Sequence, residues 1–260
     1  MASKIDSRAV IGPDVILGEN VEIAPFAVID GHVTIGDGCR IGPHAIITGN
    51  TTIGKNTSIH VGAAIGGEPQ DLHYDGAESF TDIGENCTIR EYVTIHRGTE
   101  AGSHTVVGNN VLLMAFSHLG HNCIIGDNVV IVNATLLAGR VKVDDHAFIS
   151  ATCLVHQFSR IGRLAMIGGG NHVGQDVPPF CLVQEGFVRG PNLVGLRRAE
   201  WPSDKRDAIR EAIKIYFFQG LSRPNAVAKI REEIPSFPEL EEFIDFVGGT
   251  KRGIMSGKME

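Results

Sequence analysis

A large aliphatic residue occupies nearly every sixth position of this chain from Ile5 to Val173. Of the 29 positions in that series, 26 are Ile, Leu or Val, and the exceptions are Asp71, Ala77 and Ala101. A helix would require a spacing near 3.6 residues. A period of six instead suits a short strand plus a turn, because strand side chains alternate with a period of two. The fixed period predicts a solenoid, in which each unit buries its apolar side against its neighbours.

The remaining positions of the six-residue unit support a strand-and-turn repeat. A small side chain such as Ala27 or Cys39 comes four residues after the aliphatic one, Gly often follows it directly, and Asn recurs three residues after it. Gly and Asn tolerate the positive φ of tight corners. We therefore expect the large residue to fill the interior, the small one to pack beside it, and Gly and Asn to turn the corners.

This pattern resembles the hexapeptide-repeat family. The resemblance implies a left-handed parallel β-helix with three units per coil, so that equivalent positions three units apart stack. We predict this mainly β domain over residues 1–177, with insertions at 66–82 and 101–106 and an α-helical C-terminal domain over 178–260. Both insertions are expected at one edge, on the line that contains Ile65, Ile83, Leu119 and Leu137.

Composition limits the classes of partner. The formal net charge of −7 argues against a nucleic-acid-binding protein. Four of the five cysteines occupy the small position of the repeat, where Cys acts as a compact apolar residue. We expect no disulfide and no metal thiolate, which suits a reducing, cytoplasmic location. No apolar run is long enough to suggest membrane insertion.

The tail differs from the repeat in composition. Pro178 and Pro179 should end the strand ladder, because proline cannot donate to it. Helices are predicted over 207–219, over 225–233 and after Pro238, and the Gly- and Lys-rich C-terminus is expected to fray. A basic group in the tail fits either a solvated helix face or a docking patch for an acidic partner; it comprises Arg197, Arg198, Lys205, Arg206 and Arg210.

Histidines break the regularity of the repeat. The position after the aliphatic residue, usually Gly, holds His96 and His156, and His118, His121 and Arg140 crowd the edge where the insertions leave. An isolated turn histidine is commonly just solvated. A cluster is more informative, because neutral imidazole can accept a proton from a hydroxyl near pH 7.

Several short strings, in order along the chain, are similar to the acyl-[acyl-carrier-protein]–UDP-N-acetylglucosamine O-acyltransferase family. They are Gln70-Asp71-Leu72, Ile95-His96-Arg97-Gly98, Ser117-His118-Leu119-Gly120-His121, Leu137-Ala138-Gly139, Val155-His156-Gln157-Phe158, Gln175-Asp176-Val177-Pro178-Pro179 and Gly195-Leu196-Arg197-Arg198. The resemblance implies a cytoplasmic homotrimer that transfers a 3-hydroxyacyl group from acyl carrier protein to the 3-hydroxyl of UDP-N-acetylglucosamine, in the first step of lipid A biosynthesis. It implies no metal, and no cofactor beyond the phosphopantetheine of the carrier protein.

The resemblance also assigns roles to residues. His121 would be the general base, and the Gly139 backbone N–H would stabilise the charge on the thioester oxygen. Gly169 would set the length of the acyl chain. The remaining substrate-binding positions would be Gln70, Asp71, His96, His118, Arg140, His156, Gln157, Asn192 and Arg198.

Counting in regular coils of three units places His96 and His121 at different corners of one prism. On that count they can share a site only across a subunit boundary, which favours a trimer.

Four positions depart from the familiar pattern: Asn122 replaces an Asp, His73 a Lys, Arg140 a His and Val194 a Glu. The last three concern acceptor recognition, so acylation of a 3-amino UDP-sugar stays open. Other hexapeptide-repeat transferases, a non-catalytic scaffold and a β-helix zinc hydratase are further alternatives. The hydratase would use His96, His118 and His121 as ligands.

Overall fold

The computed structural model describes residues 3–258, and in them three sheets of short strands form the faces of a triangular prism. Strands are numbered in chain order. Sheet A contains β1 (Lys4–Ile5), β4 (Glu22–Ile23), β7 (Arg40–Ile41), β10 (Ser58–Ile59), β13 (Thr88–Ile89), β16 (Leu112–Leu113), β19 (Val130–Ile131), β22 (Phe148–Ile149), β25 (Met166–Ile167), β27 (Cys181–Gln184) and β28 (Phe187–Pro191). Sheet B contains β2 (Val10–Ile11), β5 (Val28–Ile29), β8 (Ile46–Ile47), β11 (Ala64–Gly67), β14 (Thr94–His96), β17 (His118–Leu119), β20 (Leu136–Leu137), β23 (Leu154–Val155) and β26 (His172–Val173). Sheet C contains β3 (Ile16–Leu17), β6 (Val33–Ile35), β9 (Asn50–Ile53), β12 (Phe80–Ile83), β15 (His104–Val107), β18 (Ile124–Ile125), β21 (Lys142–Val143) and β24 (Arg160–Ile161).

The strand register follows the predicted coil except at the insertions. Ile5 pairs with Ile23, which is a regular coil of three six-residue units. Ile59 instead pairs with Ile89, and Ile89 pairs with Leu113, so these two coils span five and four units. The first insertion therefore adds two units to its coil and the second adds one. Each addition is a whole number of six-residue units, which is why the period returns in the same phase after each insertion.

The aliphatic series forms the core, as predicted. Its members from Ile23 to Val173 are buried, and Cys39, Cys87, Cys123 and Cys153 are buried beside them as free thiols, as is Cys181. At the N-terminal end Ile5 is 47% exposed, because no earlier coil covers it.

The corners are turned by Asn and by several glycines with φ near +70°, as expected, whereas most glycines directly after the aliphatic residue serve another purpose. Asn20, Asn56 and Asn86 have φ near +56°. Gly54, directly after its core isoleucine, is not at positive φ; a Cβ there would lie 2.6 Å from the carbonyl carbon of Gly84 in the next coil. These glycines are required because the coils approach too closely for a side chain.

Sheet A continues past the predicted boundary at residue 177. After Pro178 and Pro179 the chain re-enters the ladder, with Leu182 beside Met166 in parallel pairing, and β28 then folds back antiparallel on β27. The prolines interrupt the ladder for one turn only.

The tail is helical, as predicted, and packs on the end of the prism. Its helices are α1 (Leu193–Arg198), α2 (Ser203–Phe218), α3 (Arg223–Glu233) and α4 (Pro238–Gly248). The short α1 was not predicted. The expectation of a frayed C-terminus is wrong up to Lys258, because Ile254 and Met255 are buried and the Met255 N–H donates to the Asp176 carbonyl at 3.0 Å. No helix within residues 3–258 has the length and apolar character required to span a membrane.

Candidate active site

Both insertions leave the prism between sheet B and sheet C, an edge we call the B–C corner. The first becomes loop 68–79, between β11 and β12, and the second becomes loop 97–103, between β14 and β15. Their shared edge is as predicted. Ile83, however, lies in sheet C rather than on the line of Ile65 and Leu119, because the first insertion precedes it.

His121 lies at the B–C corner between these loops and is 7% exposed. Its Nε2 is 3.6 Å from Asp71 Oδ2, and its Nδ1 is 2.9 Å from Asn122 Oδ1. A Cβ on Gly139, one coil later, would lie 2.3 Å from His121 Nε2. Only glycine at position 139 leaves room for the ring in this position.

Asp71 is held by its own loop. Its Oδ1 accepts from the His73 backbone N–H at 2.9 Å and lies 3.1 Å from His73 Nδ1. The backbone N–H of His73, and then its side chain, hold the pKa of Asp71 below its usual range. The acidic residue is therefore ionised near neutral pH, beside the imidazole.

Arg97 ties the first loop to the prism. Its guanidinium donates to the Tyr74 hydroxyl at 2.9 Å and to the Gly66 carbonyl at 3.0 Å, and it contacts Glu68 at 3.3 Å. Tyr74 lies three residues beyond Asp71, so this clamp limits the movement of the carboxylate.

The prediction that His96 and His121 occupy different corners is wrong. The second insertion makes Ile95 pair with Leu119, which places Arg97 beside His121 at one corner. The His96 and His118 rings pack edge to face with centroids 4.9 Å apart. Counting in coils of three units failed because this coil contains four.

The two neighbouring imidazoles are neutral. Burial lowers the pKa of His96, and His121 lowers it further. Burial, with smaller effects of His96 and His121, lowers the pKa of His118 to about 4. His118 Nδ1 is 2.7 Å from Thr94 Oγ1. His96 and His118 can therefore serve as hydrogen-bonding groups without adding positive charge.

Arg140 contacts protein groups rather than facing open solution. Its guanidinium pairs with Glu100 and lies 5.8 Å from the centroid of the Phe158 ring. The position predicted to bind substrate is thus joined to the second loop.

A groove of about 510 Å³ crosses the outer face of sheet B next to the corner. His118 and His156 lie on it, and Leu136 and Leu154 expose about two fifths of their area beside them. Its walls are mainly hydrocarbon, so it suits an alkyl chain. Gln157 follows His156 at the B–C corner, and its carbonyl lies 3.1 Å from His156 Nδ1.

Two family models match the chain. Residues 176–255 match UDP N-acetylglucosamine O-acyltransferase, domain 2, and residues 2–31, 32–67 and 104–139 match the bacterial transferase hexapeptide model.

Curated relatives match nearly full length. The acyl-[acyl-carrier-protein]–UDP-N-acetylglucosamine O-acyltransferases of Pseudomonas savastanoi pv. phaseolicola and Pseudomonas fluorescens are each 44% identical, over 97% of this chain and 99% of their own. The chain belongs to the acyl-[acyl-carrier-protein]–UDP-N-acetylglucosamine O-acyltransferase family.

Solved structures agree. The UDP-N-acetylglucosamine acyltransferase of Bacteroides fragilis superposes with a TM-score of 0.95 at 43% identity, covering 96% of this chain and 99% of that one. The Francisella novicida enzyme gives 0.92 at 37% identity, with coverages of 97% and 94%. These matches confirm the left-handed parallel β-helix with a small helical domain, and they place the chain among acyltransferases.

Three predicted site residues of this acyltransferase lie away from the B–C corner. Asn192 caps α1, accepting from the Gly195 N–H at 3.0 Å and donating to the Leu164 carbonyl at 2.9 Å, at the corner between sheets C and A. Arg198 ends α1 and is exposed. Gly169 lies at the corner between sheets A and B. Within one chain these residues do not join His121.

The other predicted positions fall near the site or in the tail helix. Gln70 is exposed next to Asp71 in the first loop, and Val194 is half exposed in α1.

Within residues 3–258 no group of three or more His, Cys, Asp or Glu side chains is arranged to hold a metal ion. Of the three histidines named as ligands in the hydratase alternative, His118 has its Nδ1 against Thr94 and His121 has its Nδ1 against Asn122.

The sequence assigned no site role to Arg97, Thr94, Thr99 and Glu100. Thr99 donates to Asn122 Oδ1 at 2.8 Å through its hydroxyl. Arg97, Thr99 and Glu100 belong to the loop where the aliphatic series lapses at Ala101. That lapse was the available signal, but it does not say which atoms the loop contacts.

Proposed function

We propose that this chain transfers a 3-hydroxyacyl group from acyl carrier protein to the 3-hydroxyl of UDP-N-acetylglucosamine, the first step of lipid A biosynthesis. The observation that carries the proposal is His121, held by Asn122 on one side and facing Asp71 across 3.6 Å on the other. The near-complete match to enzymes named for this reaction supports it.

His121 is the general base in this proposal. The sugar hydroxyl gives its proton to His121 Nε2 as its oxygen attacks the thioester carbonyl carbon. The C–O bond forms, the C–S bond breaks, and the departing sulfur takes the proton from Nε2. A positioned base of this kind contributes ~10²–10⁴-fold.

Asp71 accepts hydrogen bonds from the glucosamine hydroxyls and aligns the attacking one, with Gln70, His96 and His118 beside it. The lowered pKa of Asp71 keeps it an acceptor. Since the neighbouring imidazoles are neutral, their N–H groups can donate to the sugar-nucleotide.

Gly139 supplies the donor for the thioester oxygen as negative charge develops on it. Its N–H makes no hydrogen bond within residues 3–258, and the Cα of the same residue lies against the His121 ring. Such a donor contributes roughly 3 kcal/mol in other acyl-transfer enzymes.

The complete site is formed between subunits of a homotrimer. Asn192 and Arg198, predicted to bind the uridine diphosphate, and Gly169, predicted to limit the acyl chain, lie at different corners from His121. Adjacent prisms bring different corners together, which one prism cannot do. A trimer in solution, measured by light scattering, tests this part of the proposal.

The acyl chain extends along the sheet B groove towards Gly169 of an adjacent subunit. A Cβ at Gly169 would be 3.4 Å from the Ala151 carbonyl oxygen, an ordinary contact, so the position is open. A long 3-hydroxyacyl chain therefore fits. The phosphopantetheine enters with the acyl carrier protein, no separate cofactor is required, and the cytoplasmic location predicted from the sequence suits a carrier-protein donor.

The acceptor and the donor can be resolved in one experiment. Purified enzyme receives UDP-N-acetylglucosamine or its 3-amino analogue, with 3-hydroxyacyl carrier proteins of increasing chain length, and products are measured by mass spectrometry. We expect an ester on the 3-hydroxyl, with long chains preferred. Faster amide formation would identify the 3-amino sugar as the acceptor, and no transfer to either would reject the proposed function.

A further inference from the structure

The second loop is connected to His121 through the side chain of Asn122. The Thr99 backbone N–H donates to Asn122 Oδ1 at 3.2 Å, and the Thr99 hydroxyl donates to the same oxygen at 2.8 Å. That oxygen is also 2.9 Å from His121 Nδ1. One amide oxygen therefore joins the loop to the ring.

These contacts fix where the ring proton sits. A backbone N–H can only donate, so the atom facing Thr99 must be the amide oxygen of Asn122 rather than its nitrogen. An amide oxygen can only accept, so His121 Nδ1 must carry the proton. Nε2 then presents a lone pair, which a general base requires.

Glu100 completes the connection. Its Oε2 lies 2.9 Å from Thr99 Oγ1, where it is the second acceptor within reach of the single hydroxyl proton of Thr99, and 3.5 Å from Asn122 Nδ2. Arg140 pairs with Glu100 and approaches Thr99 Oγ1 at 3.4 Å. Asn122 and Arg140, two departures from the familiar pattern, are thus linked through the second loop.

Orientation outweighs charge in this arrangement. The Glu100 side chain is 57% exposed and is paired with Arg140, so solvent and its partner screen its field at His121. The short contacts from the second loop to the Asn122 side chain come from Thr99, and Glu100 lies against the Thr99 hydroxyl. Removing the Thr99 hydroxyl should therefore matter more than neutralising Glu100.

With His121 as the base of the reaction proposed above, we propose that Thr99 and Glu100 are positioning residues for it. Thr99 orients the Asn122 amide and so sets the tautomer of His121, and Glu100 holds Thr99 in place. In the family pattern an Asp occupies position 122. Here the residue is Asn122, whose uncharged amide is oriented by the second loop and in turn orients the His121 ring.

The test compares Thr99→Val, Thr99→Ser and Glu100→Gln with the remote surface variant Glu211→Gln. We expect Thr99→Val to lower kcat about tenfold, as loss of an orienting partner commonly does, and Glu100→Gln to lower it less. KM for the nucleotide sugar should stay within about twofold, because the base acts in the transition state. Thr99→Ser, which keeps the hydroxyl, should restore kcat, and Glu211→Gln should match the wild type.

A second measurement does not depend on turnover. Spectra of protein labelled with ¹⁵N-histidine show which ring nitrogen of His121 carries the proton, with assignment by loss of the signal in His121→Asn. We expect Nδ1–H in the wild type and a measurable Nε2–H fraction in Thr99→Val. Wild-type kcat in Thr99→Val, failure of Ser to restore it, or Nε2–H in the wild type would overturn the inference. An inactive wild type with Nδ1–H would instead reject the proposed function and leave the positioning intact.

Discussion

The B–C corner and the corner between sheets A and B are built from the same repeat but differ in what they carry. At the A–B corner, turn residues stack from coil to coil: the rings of Phe26 and His44 are 5.1 Å apart, and those of Tyr92 and Phe116 are 5.3 Å apart. This corner has no long insertion. The B–C corner has two, and they enclose His121.

The difference between the two corners shows where a solenoid can carry a functional site without changing its core. The sheets and the buried aliphatic series supply the ladder and the core, so a corner can vary without loss of either. Histidine occurs at both corners. His44 stacks on an exposed ring, whereas His121 is buried against Asp71 and Asn122. Partners and burial, rather than residue type, distinguish the site.

The largest expected effect is from removing the base. His121→Ala should lower kcat by ~10²–10⁴-fold, because it removes the proposed proton acceptor. The matched change at the other corner, His44→Asn, keeps a residue that tolerates its φ of 57° and should leave kcat unchanged. Steady-state rates and melting temperatures of both variants test the contrast. Residual activity near wild type in His121→Ala would remove His121 as the base.

Glycines at the two corners allow a closer comparison. The new Cβ of Gly139→Ala would lie 2.3 Å from His121 Nε2, so the ring must shift. We expect a kcat loss of about 100-fold, since a displacement near 1 Å can cost that much.

Gly62→Ala creates a similar clash at the A–B corner, with Tyr92 Cε1 at 2.4 Å and φ at +67°. It should lower the free energy of unfolding by about 1–2 kcal/mol and leave kcat unaltered. Both glycine variants are measured by chemical denaturation and by steady-state kinetics. A large loss of kcat in Gly62→Ala, or a wild-type kcat in Gly139→Ala, would contradict the comparison.

One A–B corner position should affect chemistry at the other corner. Gly169→Met adds a side chain where the structure has space. If Gly169 lies at the end of the acyl site of an adjacent subunit, the preferred 3-hydroxyacyl chain should shorten, with a selectivity change of at least about tenfold. Product ratios from mixed-length donors measure this. If the folded variant prefers the same acyl chain length as the wild type, Gly169 does not control chain length.

A further expected effect is a pH dependence of stability at the B–C corner. The pKa of His118 is about 4 in the folded protein, below its ordinary value of 6.5. Between these values the unfolded chain binds the extra proton, so the neutral imidazole contributes fully above pH 6.5 and stability falls as pH drops towards 4. Allowing for partial exposure, we expect a loss of about 2 kcal/mol.

His118→Gln removes this titration, so its free energy of unfolding should vary less over the same pH range. Equal slopes for the wild type and the variant would show that His118 does not contribute.

Much of the fold could be read from the sequence because each coil repeats one local rule. The buried series, the small neighbouring residues and the edge of both insertions follow from the six-residue period. The roles of His121 and Gly139 came from motif resemblance, and the structure places the two side by side. Thr99 and Glu100 were not identified, and Arg97 was noted only as part of a motif string, because no repeat governs a loop.

The sequence by itself determined a solenoid of strand-and-turn units, since a large aliphatic side chain at every sixth position is buried by stacking those units, and the prism with three units per coil came from the family resemblance. Tertiary structure decided which histidines meet. The first insertion lengthens its coil by two units and the second by one, which changes the pairing register of the following strands. His96 and His121 therefore lie at the same corner, although counting in coils of three units placed them at different corners. Pairing is set by hydrogen bonds between strands, and those depend on the length of chain between strands rather than on the phase of the period.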